Sequence, residues 1–99
     1  MSNDGRGAVE GTQYQGPGET ITWAVVVAGT AVSVAPALVM DEGIDVTTAV
    51  MPTGSTIIQD DAIQFPPLKN LTLNHGYRIS THYSDGLNTL EVYFNVVCT

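Results

Sequence analysis

Basic residues are scarce in this chain of 99 residues: three Lys and Arg stand against ten Asp and Glu, for a formal charge of −7. Nucleic-acid phosphates require clustered Lys and Arg, and anionic membranes a polybasic segment, so neither is an expected partner. The acids are scattered and read as solubilising surface charge. Cysteine is almost missing. Cys98 alone cannot close an internal disulfide, which points to a reducing compartment during assembly. No window keeps a 3.6-residue apolar period, and there is no internal repeat or low-complexity run, so the chain is not built on amphipathic helices.

Catalytic signatures are missing as well. There is no G-x-S-x-G elbow, and no nucleophile can be placed beside a base. Gly5, Gly7, Gly11, Gly16 and Gly18 follow no strand and precede no P-loop Lys, so they cradle no phosphate. Charge is absent from Thr20 to Met40, a stretch long enough to span a bilayer. Acids flank it, however, at Glu19 and Asp41-Glu42, and Gly29 and Pro36 interrupt it. Two buried strands joined at Ala28-Gly29-Thr30 account for it better. Ninety-nine residues support one domain with one modest core.

What is present is β-pattern. Asp85-Gly86 suits a tight hairpin turn, since both positions tolerate φ > 0. Counting outward pairs Thr81 with Leu90, Ile79 with Val92 and Tyr77 with Phe94 on one face. His82 with Thr89, Ser80 with Glu91 and Arg78 with Tyr93 fall on the other. A four-residue loop over Ser84 to Leu87 keeps the same pairing. The first face is expected in the core, and Ser80 and Glu91 in water.

Upstream, Ile21, Trp23, Val25 and Val27 alternate as a first strand, and Val32 and Val34 continue as a second. Pro36 marks an edge, a bulge or a strand end. Ala37 to Met40 is a short apolar continuation, stopped by Asp41-Glu42-Gly43. Ile44, Val46, Thr48 and Val50 alternate with polar or small residues and predict a half-exposed strand. Pro52-Thr53-Gly54 is a turn. Thr56 to Gln59 and Ala62 to Phe65 predict two short strands around Asp60-Asp61, ended by Pro66-Pro67. Leu73 followed four residues later by Tyr77 suggests a corner in which the tyrosine hydroxyl bonds to backbone just upstream. The pattern predicts an all-β, immunoglobulin-like sandwich of seven to eight short, mostly antiparallel strands.

Met1 to Gly18 holds five of the ten glycines, with Val9 and Tyr14 as its sizeable apolar groups. Such a segment cannot offset its ordering entropy by burial. The division is therefore a flexible, extended arm over residues 1–18, ordering on a partner or a neighbouring copy, and a sandwich over residues 19–99.

Cys98 shares the alternating face of Val92, Phe94 and Val96 and reads as a small buried hydrophobe. His75 and His82 lie seven residues apart with no tight His-x-His spacing, a poor zinc pattern. Asp41, Glu42, Asp45, Asp60 and Asp61 lack the D-x-D-x-D-G order of a calcium loop and read as turn acids. No metal or other cofactor is expected. Asn70-Leu71-Thr72 matches the glycosylation sequon but follows no leader sequence, so it reads as idle. Arg78, His82 and Tyr93 share the outward face of the last hairpin. Tyr and Arg together suit a protein contact, and the alternative is a surface cross-strand pair with a diagonal Arg78–Glu91 interaction.

The run IDVTTAVMPTGSTIIQDDAIQF, then Leu71-x-Leu73-x-x-x-Tyr77, YSDG and EVYFNV, over about residues 43–98, resembles the small immunoglobulin-like structural proteins of tailed-phage virions. Capsid decoration proteins and fiber–tail adaptors belong to that set. The chain lacks the Gly-Gly run that adaptors carry before the tyrosine strand, and the arm lies outside the match. The resemblance implies a non-enzymatic virion part, made in the host cytoplasm and present in many copies without cofactor. Its partners would be other structural proteins and copies of itself. These families share no site motif, so no site residue is carried over from the resemblance; the contact residues expected from the pattern itself are Val9 and Tyr14 on the arm and Arg78, His82 and Tyr93 on the hairpin face. The rival expectation is a carbohydrate- or cell-surface-binding module, for which Trp23, Tyr14, Tyr83 and Tyr93 are the available aromatics.

Overall fold

The computed structural model describes residues 8–27, 31–59 and 62–99, with backbone only for residues 8–11. The turn expected at Ala28-Gly29-Thr30, the acids Asp60 and Asp61, and residues 1–7 of the arm lie outside the described residues.

The last hairpin is the centre of the fold. Strand β8 (Gly76–Ser84) and strand β9 (Thr89–Cys98) pair antiparallel along their length. Their register is two residues along from the expected one: Ile79 faces Phe94, Thr81 faces Val92, and Tyr83 faces Leu90. The loop is Asp85 to Asn88 because the Asp85 carboxylate Oδ1 accepts from the N–H groups of Leu87 and Asn88, at 2.9 and 2.7 Å. Gly86 takes the positive φ, 101°, that this loop requires. A two-residue slip keeps every side chain on its face. Tyr77, Ile79, Val92 and Phe94 are therefore buried as expected, and Leu90 partly so. Ser80 and Glu91 depart from expectation: Ser80 is buried and Glu91 half-buried. Leu38 on one neighbouring strand and Tyr93 on the other flank Ser80 and cover it.

The larger sheet has the order β1 (Ala8–Gln15), β9, β8, β4 (Leu38–Asp41), β5 (Ile44–Asp45), with β3 (Ser33–Val34) also on β8. Strands β3 (Ser33–Val34) and β4 (Leu38–Asp41) both pair antiparallel with β8, interrupted at Pro36. From Val34–Tyr83 to Leu38–Ser80, four steps on one strand meet three on the other, a bulge where Pro36 has no N–H to donate. Strand β5 (Ile44–Asp45) turns back on β4 through Glu42 and Gly43, both at positive φ.

The strand expected from Ile44 to Val50 stops after two residues. Asp45 Oδ1 accepts from the Thr47 N–H and hydroxyl, and the Thr47 hydroxyl oxygen accepts from the Val39 N–H at 2.8 Å. Side chains thus take over the ladder, and a one-turn helix α1 (Thr47–Val50) follows.

The smaller sheet has strand β2 (Ala24–Val26), strand β7 (Ala62–Gln64) and strand β6 (Ile57–Gln59) in the order β2-β7-β6. Its Val25 and Ile63 face the larger sheet's Val39, Ile79, Val92 and Phe94 in a single core. Phe65 meets Phe94 edge-on with centroids 5.2 Å apart, and Trp23 tilts on it at 5.8 Å. The result is the all-β sandwich expected, with nine strands among the described residues instead of seven to eight. The tyrosine corner is present: the Thr72 N–H donates to the Tyr77 hydroxyl at 2.7 Å. Leu71, not Leu73, is the buried leucine beside it.

The arm is corrected over its described length. Strand β1 (Ala8–Gln15) pairs in parallel with β9 as the outermost strand of the larger sheet. Gln15, buried to 1% exposure, fastens it there. Its Nε2 donates to the carbonyls of Leu68 and Glu19, at 2.6 and 3.0 Å, and its Oε1 accepts from Trp23 Nε1 at 2.9 Å. A boundary at residue 18 would cut a strand away from its own sheet.

Candidate interaction face

The inward face of the larger sheet is covered by the smaller sheet. Its outward face is open, and strand alternation decides what lies on it. From β1 come Thr12 and Tyr14, opposite Asn95 and Val97 of β9. From β8 come Arg78, Ser80 and His82, opposite Asn95, Tyr93 and Glu91. From β4 come Leu38 and Met40, opposite Ser80 and Arg78.

Arg78 is drawn along this face. Its guanidinium lies over the Tyr93 ring, 3.9 Å from the centroid, and reaches Glu91 Oε2 at 3.7 Å. The planar cation is thereby stacked and half-neutralised, with its donors still reachable from solvent. Tyr14 is 62% exposed and Leu38 40%. Tyr93, Met40 and Val97 are half-buried. An aromatic, aliphatic and Arg surface of this kind matches the composition of protein interface centres.

Four of the five residues singled out from the sequence are placed by their side chains. Tyr14, Arg78, Tyr93 and the exposed His82 share the outward face, with His82 toward the Asp85 loop. Val9 lies in β1, and its side chain is outside the described set. Leu38, Met40 and Val97 were missed. All three were legible in principle, since each alternates with a buried neighbour, Val39, Val96 or Cys98. Trp23 is packed on Phe94 beneath Gln15, which removes it as a sugar-stacking platform.

Four titratable groups among the described residues, His75, Asp45, Asp85 and Cys98, are shifted by their surroundings. His75 Nδ1 and Asp41 Oδ2 are 2.7 Å apart, joining the segment before β8 to the end of β4. That hydrogen bond, with the charges of Asp41 and Glu42, raises the His75 pKa above its ordinary 6.5 against a smaller opposing effect of burial. Hydrogen bonds from Thr47 hold Asp45 below the usual carboxylate range, and those from Asn88 and Leu87 do the same for Asp85. Burial, with some help from Glu19, pushes the Cys98 thiol up, away from a reactive thiolate. Among the described residues no three His, Cys, Asp or Glu side chains converge as metal ligands, and no helix is long and apolar enough to cross a membrane. A groove of about 400 Å³ between the Pro36 bulge and the loop after α1 is lined by Val34, Met51 and Pro66 among others, and no titratable side chain lines it.

No protein-family model, curated protein or solved structure matches this chain.

Proposed function

We propose that the chain is a non-enzymatic structural protein of a virion, a capsid decoration protein or tail adaptor, that works by protein–protein association. The single observation behind this reading is the outward face of the larger sheet, where Arg78 stacked on Tyr93 lies among Tyr14, Leu38, Met40 and Val97. The hairpin supplies a rigid platform, because every one of these residues is held in a paired strand. Association then costs little ordering of backbone, and the aromatic and Arg side chains act as anchors. No functional residue has to move or react.

The test is incorporation. Arg78→Ala with Tyr93→Ala removes the stacked pair from an outward face while sparing the core. The double variant is expected to melt near the wild-type temperature and to be lost from purified particles when expressed with the other particle proteins. Incorporation at the wild-type level would overturn the reading.

A further inference from the structure

The tip of the β4–β5 hairpin has no apolar anchor. Asp41 is partly buried, and Glu42, Gly43, Ile44 and Asp45 are all exposed, Ile44 to 66%. Glu42 holds φ at 52°, a left-handed conformation that costs energy in a residue with a side chain. Lifting the tip would therefore bare almost no apolar surface and would relieve that strain. A segment of this kind opens locally far more readily than the domain unfolds. The opening has a natural limit. The Val46 N–H donates to the Val39 carbonyl at 2.9 Å, and the Val39 N–H to the Thr47 hydroxyl at 2.8 Å, which fastens the chain beyond Asp45.

From outside the hairpin, His75 holds the tip down: its Nδ1 lies 2.7 Å from Asp41 Oδ2. The imidazole is fixed without help from Asp41. It stacks on the buried Tyr77 ring at 6.3 Å between centroids, while the His75 N–H donates to the Thr72 carbonyl and its own carbonyl accepts from the Cys98 N–H. A fixed ring is thus joined to a liftable tip. The other Asp41 oxygen, Oδ1, is buried and meets no donor among the described residues, so the carboxylate leans on this one contact. The groups around the ring are few. The tip brings Asp41 and Glu42, whose charges both act on His75. Strand β8 brings Tyr77 and, in the groove shared with Glu42, Arg78, which does not change charge near neutral pH. Strand β9 brings Cys98, a thiol that burial keeps protonated. His is the side chain that titrates near neutrality. Protonated, it gives Asp41 a charge-assisted bond. Neutral, its Nδ1 can still donate, but the bond falls to about half its strength.

We propose that His75 and Asp41 form a pH-operated latch: residues 41–45 are held down while the imidazole is protonated and lift as a flap once it is neutral. Glu42 and Gly43 ride on this flap beside Met40. Resting on the reading of the outward face as an association surface, the latch regulates the edge of that surface.

Hydrogen exchange on the full-length, 15N-labelled chain tests this between about pH 5.5 and about pH 8.5, with protection factors dividing out the intrinsic pH dependence. Protected amides within residues 41–45 are expected to lose protection as pH rises, with the midpoint of the His75 imidazole's own titration. Val39 and Tyr77 should keep theirs. In His75→Gln the flap should be weakly protected at every pH. Should that variant misfold, Asp41→Asn provides the second arm and should give the same flat profile. Constant protection in the wild type, a midpoint unrelated to His75, an equal loss at Val39 and Tyr77, or a pH dependence that survives substitution would overturn the latch. If the flap opens as stated while Arg78→Ala with Tyr93→Ala is still incorporated, the association reading falls and the latch stands. If protection stays constant while that double variant is lost from particles, the latch falls and the association reading stands.

Discussion

At the scale of residues, Phe94 is where the two sheets meet, touching Phe65 edge-on and Trp23 at a tilt. Truncation leaves a cavity that neither ring can leave its own sheet to fill. Phe94→Ala is expected to cost ~3–5 kcal/mol, a large part of the stability of a domain this size. Urea unfolding with an unchanged m-value and a lowered midpoint would show it; a loss under 1 kcal/mol would mean the core is not organised on this ring. His75 makes a different, pH-dependent contribution. Its pKa is raised in the folded state by the bond to Asp41, so the protonated form binds more tightly folded than unfolded. The stabilisation is complete below the ordinary value of 6.5 and is lost as pH rises through the raised folded value. The melting-temperature gap between wild type and His75→Gln should be wider at pH 5.5 than at pH 8.5. A gap that widens with pH would mean the pair is not ionic.

At the scale of elements, alternation made faces readable and left registers and ends unread. Period 2 assigns Tyr77, Ile79, Val92 and Phe94 to the core in any register two residues apart, so their burial was legible while their partners were not. The partners depend on Asp85 capping two N–H groups of its own loop, and an Asp-Gly pair is compatible with several loop lengths. The end of β5 was hidden for a related reason: Thr47 replaces a ladder partner with its hydroxyl, which alternation cannot register. The arm misled because its composition speaks against autonomous folding, yet β1 folds on β9. One buried amide, Gln15, connects β1 to Trp23 and Leu68. Deleting residues 1–18 would strip those bonds and bare the β9 edge, inviting aggregation. The shortened chain is expected to melt well below the full one, and Gln15→Ala alone to cost ~2–3 kcal/mol by leaving buried partners unmet. Equal melting temperatures for full and shortened chains would return the arm to the status of a free tail.

At the scale of the whole molecule, charge is the property read most directly, and the interaction face the least. Tyr14, Arg78, His82 and Tyr93 were legible as outward residues, but their neighbours depend on which strands flank β8 and β9, a long-range fact. The charge of −7, by contrast, is spread over a body only 39 × 29 × 23 Å in extent. At about 10 mM salt the screening length is about 30 Å, so nearly every charge acts on every other. At about 150 mM it is about 8 Å, and only neighbours interact. Ten acids against three bases make the long-range sum repulsive, and unfolding relieves it. The attractive pairs work the other way, but Arg78–Glu91 is exposed and 3.7 Å long, worth a few tenths of a kcal/mol at most. Repulsion therefore decides the sign. Adding sodium chloride from about 10 to about 150 mM at pH 7 should raise the melting temperature. The same addition near pH 4, where carboxylates take up protons, should raise it much less. Differential scanning calorimetry over this grid checks both. A melting temperature that falls with salt at pH 7 would mean that specific ion pairs, not net repulsion, govern the electrostatics of the fold.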